Sequence, residues 1–409
     1  MHTKEDARLV AELPGSAARG RPWLTRNVAV LSGVSLLNDV SSEMIYPLLP
    51  LFLTTVLGAG PAFLGLVEGI AETTASLLKL FSGWLSDRLR RRKLLAVAGY
   101  GVSSLVRPLT ALATAPWHVL MVRFWDRVGK GVRTAPRDAL LVSSCPVENR
   151  GKAFGLQRAM DHLGAVLGPL IATLLLGTVT SNVRTVFWYA AVPAVLSMVL
   201  LIGMAREQAR QGTAGQLLKF SWRQFDPRFL RYVGIVFLFT LGNSSDMFLL
   251  LRANTLGVPA VLIPTLWMVH HLVKSATSLP GGSLSDRLGR KRIITAGWFV
   301  YALSYAGFAL AHRAWHAWAL FVLYGLFFGL TEGTEKALVA DFVAPEQRGT
   351  AYGLFNFAVG IGALPASVLM GLLWQWFGPA LAFATGAGLA AVSCLLLAAL
   401  PVPKAGTQQ

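Results

Sequence analysis

The sequence predicts an all-α, polytopic membrane protein with twelve transmembrane helices in two pseudo-symmetric six-helix bundles. Three observations carry this reading. Of 409 residues, 54% are hydrophobic and only 14% charged, whereas an ordinary soluble domain carries about 25% charged residues. Apolar runs of bilayer-spanning length follow one another along almost the whole chain. Short polar motifs then recur, in order, at a nearly constant offset.

The mean hydropathy of +0.55 excludes a disordered chain, a coiled coil or a collagen. The two cysteines, Cys145 and Cys394, exclude a disulfide framework and read as free thiols. Lys and Arg number 37 against 20 Asp and Glu, a net charge of +17. On a soluble domain that excess would suggest nucleic acid. On a membrane chain it reflects basic cytoplasmic loops, and no nucleic-acid partner is expected.

Residues 1–27 mix charge with Gly and Pro and lack an apolar core or cleavage site, so a cytoplasmic tail is expected rather than a signal peptide. The apolar runs cover 28–56, 62–83, 94–113, 117–139, 153–178 and 184–204, then 231–253, 259–281, 293–312, 316–340, 350–375 and 378–400. Each is close to or above the roughly 20 residues needed to cross a ~30 Å core. The turns Asp87–Lys93 and Asp286–Arg292 and the central loop (Arg206, Arg210, Lys219, Arg223, Arg228) put the basic residues on one side. The opposite turns at 58–61 and 114–116 carry none, and Arg184 and Arg313 are isolated exceptions. Both termini are therefore expected in the cytoplasm, with the chain in the cytoplasmic (inner) membrane.

Gly83–Leu89 matches Gly282–Leu288 at an offset of 199, Arg150–Leu156 matches Arg348–Leu354 at 198, and Ser41–Met44 matches Ser244–Met247 at 203. The predicted units are a bundle at 28–204, a linker at 205–230, a second bundle at 231–400 and a tail at 401–409. Two parallel halves with a site between them describe a secondary transporter.

The pattern G-x-L-x-D-R-x-x-R-(K/R) occurs twice. It comprises Gly83, Leu85, Asp87, Arg88, Arg91 and Arg92, and again Gly282, Leu284, Asp286, Arg287, Arg290 and Lys291. This resembles the major facilitator superfamily (MFS), and the resemblance covers nearly the whole chain beyond the N-terminal tail. It implies the MFS fold, alternating access, and a cytoplasmic gate at Gly83, Asp87, Arg88, Arg91, Gly282, Asp286, Arg287 and Arg290, whose Asp–Arg pairs form in one access state and break in the other. A basic turn that merely orients the chain is the plainer reading.

The fifth helix carries Gly164, Gly168 and Pro169, similar to the family's G-x-x-x-G-P motif, which implies an exporter that exchanges substrate for protons. Ala172-Thr173 stands where the family has a pair of small residues, displaced. Tight packing alone is the competing reading. Arg127 and Gly131 resemble the family's R-x-x-x-G motif, whose Arg is linked to proton transfer, with Lys130 where Gln is common. Snorkelling of this basic segment into the headgroups competes with that.

A charge at the bilayer centre costs about 2.5–3.5 kcal/mol on insertion scales, so the intramembrane charges are the candidate cavity and coupling residues. They are Asp39, Glu43, Glu68, Glu72, Arg107, Arg123, Arg127, Arg158, Asp161, Asp246, His270, His271, Glu332 and Glu335. Asp39 and Glu43 lie on one helix face and lead for proton coupling, followed by Glu72 and Asp246. Proton carriage, binding of a cationic substrate and structural ion pairing stay open, and Arg107, Arg123, Arg127 and Arg158 equally suit an anion. A divalent metal ion is a further candidate substrate. Against it, adjacent His270 and His271 point about 100° apart on a helix, and the His312–His316 pair sits in a turn.

Pro47, Pro50 and Pro365 mark bends, and Trp117, Trp315, Trp318, Trp374 and Trp376 read as interfacial anchors. There is no Walker A, H-E-x-x-H or G-x-S-x-G sequence, so neither an enzyme nor a cofactor is expected. The expected partners are a small-molecule or ion substrate, protons and the bilayer, around a monomer.

Overall fold

A computed structural model describes residues 24–89, 91–146, 149–207, 225–344 and 347–402. The expected tails at 1–27 and 401–409 and the linker at 205–230 fall largely outside the described residues, as do Arg210, Lys219 and Arg223. Twelve helical rods are described. They are α1 (Arg26–Val56), α2 (Pro61–Leu89), α3 (Arg92–Leu112), α4 (Pro116–Ser143), α5 (Arg150–Thr178), α6 (Val183–Met204), α7 (Pro227–Thr255), α8 (Ile263–Leu288), α9 (Arg290–Leu310), α10 (Ala314–Phe342), α11 (Arg348–Phe377) and α12 (Pro379–Ala399). Among the described residues, nine of these are apolar enough to span a membrane by composition. The other three are α2, α4 and α8, which carry the charges discussed below.

Several rods run past the predicted apolar runs at one end: α2 reaches Leu89, α4 Ser143 and α8 Leu288. An apolar run stops where a helix turns amphipathic, but the backbone hydrogen bonds continue. That end holds the 89–92 and 288–290 turns. It also gathers the outermost described residues: Arg26 and Asn27 bond to the carbonyls of Met204 and Arg206, and Lys291 to that of Leu400. It is called the basic end here. Gly289 makes its sharp turn at φ 96°, a conformation that favours glycine.

The two halves repeat each other in detail. Pro116 opens α4, and His118 Nδ1 accepts the free N–H groups of Thr114 and Ala115 at 3.2 and 3.1 Å. In α10, His316 Nδ1 does the same for His312 and Arg313 at 3.4 and 3.1 Å. The H-x-x-x-H spacing is thus a helix cap satisfying orphan donors.

They also differ. Near Pro47 and Pro50, α1 tightens to a 3₁₀ turn and then widens to a π turn, without a break. The equivalent rod α7, expected to be continuous, is broken at 243–246, between Gly242 and Met247. Ser and Asp side chains compete for backbone groups, and Ser245 Oγ accepts the Met247 N–H. Pro365 leaves α11 continuous. The C-terminal core is aromatic: Phe239 stacks on Trp298 at 4.2 Å and Tyr301 on Tyr305 at 4.3 Å. The N-terminal core is ionic. Trp117, Trp315 and Trp376 are exposed as anchors require, but Trp374 is buried against Phe248 and Phe383 and is a core residue.

The halves meet along α2–α11 and α5–α8, at the end opposite the basic turns. There Gly65 and Gly69 of α2 lie against the Ser367 and Leu364 backbone, and Gly371 of α11 against Pro61. Ala62 N–H bonds to Gln375, Thr73 to the Gly360 carbonyl at 2.8 Å, and Thr173 to Thr265 at 2.9 Å. Toward the basic end the same rods expose apolar side chains, Phe81, Leu279 and Phe357 among them. Among the described residues, no hydrogen bond or ion pair joins the halves there.

Candidate substrate cleft and coupling network

The N-terminal half encloses a closed chain of charge. Arg123 of α4 donates to Glu68 Oε1 of α2 at 2.8 and 2.6 Å and lies 3.8 Å from Asp126 Oδ2. Asp126 Oδ1 accepts from Arg107 Nε of α3 at 2.8 Å. Arg107 also donates to the carbonyl and side chain of Asn38 in α1, and Asn38 donates to Asp39 Oδ1 at 3.0 Å. Glu68, Arg107, Arg123 and Asp126 are all buried. Two carboxylates facing two guanidiniums balance one another, and each is hydrogen-bonded, as buried charges require. The expectation that Arg107, Arg123 and Glu68 line an open cavity is corrected: they are buried and tie α1 to α4 together, with Glu68 also reached by Ser245 of the other half.

Asp126, the centre of this network, was not among the candidate residues. Its signal was its position three residues after Arg123 and next to Arg127, in a segment read only as basic. Arg133 was also missed. It donates to Ser103 Oγ at 2.6 Å and lies over the Tyr100 ring at 4.6 Å.

Beyond this buried layer, toward the basic end, charged side chains of both halves face one cleft. Arg127 pairs with Glu72 at 3.0 Å, and the Glu72 side chain is 43% exposed. Across from them, Lys274 of α8 pairs with Glu332 of α10 at 3.0 Å and packs over Phe328. Arg158 of α5, 3.9 Å from Asp161, has a 63% exposed side chain. These partly exposed charges, on α2 and α5 of one half and α8 and α10 of the other, line the space between the halves.

The floor of this space is the seam between the halves. Glu43 Oε2 of α1 accepts from Trp267 Nε1 of α8 at 2.8 Å, and His271 Nε2 stands 4.0 Å from the same oxygen. Neither ring nitrogen of His271 has a hydrogen-bond partner. Ser245 reaches Glu68 Oε2 at 3.5 Å. Tyr324 donates to Asp246, at the break in α7. The glycine motif of α5 lies under the acidic face of α1: a methyl group on Gly164 would stand 2.8 Å from Asp39 Cβ, and one on Gly168 would stand 2.7 Å from the Val40 carbonyl and 2.8 Å from Glu43 Cβ. Pro169 follows within the helix without ending it.

Other candidates sit elsewhere. His270 is buried and stacked between Trp267 and Tyr324, at 4.9 and 5.1 Å. Its ring is turned 75° from that of His271. Among the described residues no three His, Cys, Asp or Glu side chains gather as metal ligands. Glu335 accepts from Trp298 at 2.8 Å and belongs to the C-terminal half's interior, not to the cleft. Of the gate residues, the side chains of Gly83, Asp87 and Arg88 lie outside the described residues, and Arg91 is exposed. In the second motif Gly282 is half-buried and Arg287 exposed. Arg290 pairs with Asp341 and lies 4.0 Å from Asp286, all within the C-terminal half.

The model of the Major Facilitator Superfamily matches residues 31–331 and 233–409. An uncharacterised MFS-type transporter of Methanocaldococcus jannaschii is 36% identical over 380 residues, covering 91% of this chain and 94% of that protein. Multidrug resistance protein MdtH of Proteus mirabilis is 22% identical over 329 residues, covering 78% and 80%. Among solved structures, the nucleoside transporter NupG superposes with a TM-score of 0.74 at 14% identity, covering 92% of this chain and 99% of its own.

Proposed function

The chain belongs to the Major Facilitator Superfamily, and from that premise we propose that it is a proton-coupled exporter of a small solute, working by alternating access. The membrane-spanning rods and the family make it a transporter. Direction and coupling are our reading. The basic turns support a cytoplasmic basic end, hence a cleft open to the cytoplasm, both termini cytoplasmic, and a place in the cytoplasmic membrane. The Proteus mirabilis relative, a multidrug resistance protein, supports export.

One observation carries the coupling: Glu43 is an acid on α1 hydrogen-bonded by Trp267 of the opposite half, at the floor of the cleft. A hydrogen bond to a carboxylate is roughly twice as strong as one between neutral groups. Ionised Glu43 therefore holds the far seam shut while the cleft awaits substrate. Protonation weakens the contact, so the access state and the proton are tied to one atom pair. The glycines of α5 let α1 sit close enough to place that carboxylate.

Purified protein in proteoliposomes tests this. A pH gradient is expected to drive uptake of substrate into inside-out vesicles, and Glu43→Gln is expected to abolish the gradient dependence with the fold retained. Full gradient-driven flux in that variant would remove Glu43 from the mechanism.

A further inference from the structure

Away from the seam between the halves, α9 and α12 leave a groove of about 580 Å³ between them. That is within the size of small-molecule pockets, about 300–1,000 Å³. Lys291 and Arg292 line it where α9 begins, at the basic end, and Ala296, Phe299, Cys394 and Ala398 line the rest. Phe299 lies seven residues beyond Arg292, about 10 Å along the helix. The Thr295 hydroxyl is spent on the Lys291 carbonyl at 2.8 Å, and the Cys394 thiol on the Thr295 carbonyl at 3.3 Å. The groove is therefore cationic at its mouth and offers no unspent polar group below it. Exposed Phe299, Leu303 and Leu395 mark this face as one that meets lipid.

The cations at the mouth are available. Lys291 Nζ donates to the Leu400 carbonyl at 2.7 Å, which holds the ammonium in place with two protons left over. Arg292 is exposed, and among the described residues its guanidinium has neither a hydrogen bond nor an ion pair. Only Arg290 of this turn is matched, by Asp341. The internal repeat supplies a comparison. At the offset of 199, Lys291 and Arg292 correspond to Arg92 and Lys93. There the turn carries an anion of its own: the two carboxylate oxygens of Glu207 accept the backbone N–H groups of Arg92 and Lys93 at 3.1 and 2.9 Å. No acid among the described residues does this at α9. The Arg292 N–H turns instead to the Gly289 carbonyl at 3.1 Å, so an incoming anion would meet the side chains.

We propose that this groove is a binding site for an anionic phospholipid, its phosphate held by Arg292 and Lys291 and one acyl chain lying along Ala296, Phe299 and Ala398. A guanidinium matches a phosphate bidentately, and basic pockets between membrane helices suit such headgroups. A basic turn that merely orients the chain needs charge but no cavity beneath it. The chain gains little by leaving bulk lipid for the groove, since both are apolar, so the headgroup charge sets the preference. The site lies outside the cleft and does not rest on the transport reading.

The test uses the full chain in phosphatidylcholine nanodiscs, with and without part of that lipid replaced by phosphatidylglycerol of the same chains. Phosphatidylglycerol is expected to raise the unfolding temperature by on the order of 2–4 °C. The rise is expected to vanish in Lys291→Gln/Arg292→Gln and to persist in Lys291→Arg/Arg292→Lys. No rise in the wild type, or an equal rise in the glutamine variant, overturns the proposal. Should the double variant not fold, Arg292→Gln alone breaks no contact of the described chain; it is expected to lose most of the rise, and a full rise there overturns the site. Arg231→Gln, exposed near the start of α7, is expected to keep the rise; an equal loss there would show a diffuse basic surface instead of a site. Ala296→Phe fills the groove without touching a charge and is expected to lose the rise, whereas a full rise would remove the groove from the proposal and overturn it. Free glycerol phosphate added to phosphatidylcholine nanodiscs is expected to do nothing at matched concentration; a full rise from it would make the ligand a soluble phosphate and overturn the lipid. No substrate or gradient is applied, so the outcome is separate from that of the Glu43 flux assay.

Discussion

Trp267 of the second half donates its indole N–H to Glu43 of the first at 2.8 Å, while the unpartnered His271 imidazole waits 4.0 Å away. One carboxylate thus faces two groups of the opposite bundle.

Trp267→Phe keeps the ring packed on Tyr46 but removes the donor. It is expected to cost about 1.5–3 kcal/mol of stability, as loss of a hydrogen bond to a charged group does, and to raise the fraction of molecules open at the seam. Spin-label distances between the outer ends of α2 and α11 report this; an unchanged distribution would show that the hydrogen bond does not hold the seam.

Asp126→Ala leaves Arg107 and Arg123 buried with a partner missing. A loss of about 3–5 kcal/mol is expected, enough to lower yield and unfolding temperature sharply. Glu332→Gln, on an exposed pair, is expected to cost under about 1 kcal/mol. Comparable losses in the two variants would contradict the buried-network reading.

Gly168→Ala drives a methyl group against the Val40 carbonyl and Glu43. About 1–3 kcal/mol of destabilisation is expected, with coupled flux reduced further because α1 is displaced. Gly155→Ala, on the same helix with open space around it, is the control and is expected to be neutral in both readouts.

Thr173→Cys with Thr265→Cys, made after replacing Cys145 and Cys394 by serine, joins α5 to α8 across the far seam. Oxidation is expected to stop flux and reduction to restore it, with the cleft still reachable by a thiol reagent at the basic end. Continued flux with the bridge formed would rule out parting of this seam.

The twelve helices were legible because each needs an apolar run long enough to span a bilayer, and the repeat of Gly83–Leu89 in Gly282–Leu288 ordered them into halves. Helix ends were not, since Leu89 and Leu288 lie where the run has already turned polar. Partnerships were illegible: Arg107 finds Asp126 and Arg123 finds Glu68 across three different helices, and Asp126 hid in a basic string. The break at 243–246 has no proline to announce it, and its counterpart Ser41-Ser42-Glu43 stays helical. Trp374 shows the same limit, since an aromatic near a helix end reads as an anchor until a neighbour covers it.

The glycine contacts between α2 and α11 bear on how fast the molecule works. Where Gly65, Gly69 and Gly371 touch backbone, there is little side-chain grip to release, and few hydrogen bonds such as Thr73 to Gly360 must be exchanged for water. Each small contact is weak by itself, so the two rods can come apart in short steps. A seam of interlocked leucines would hold more tightly and turn over more slowly.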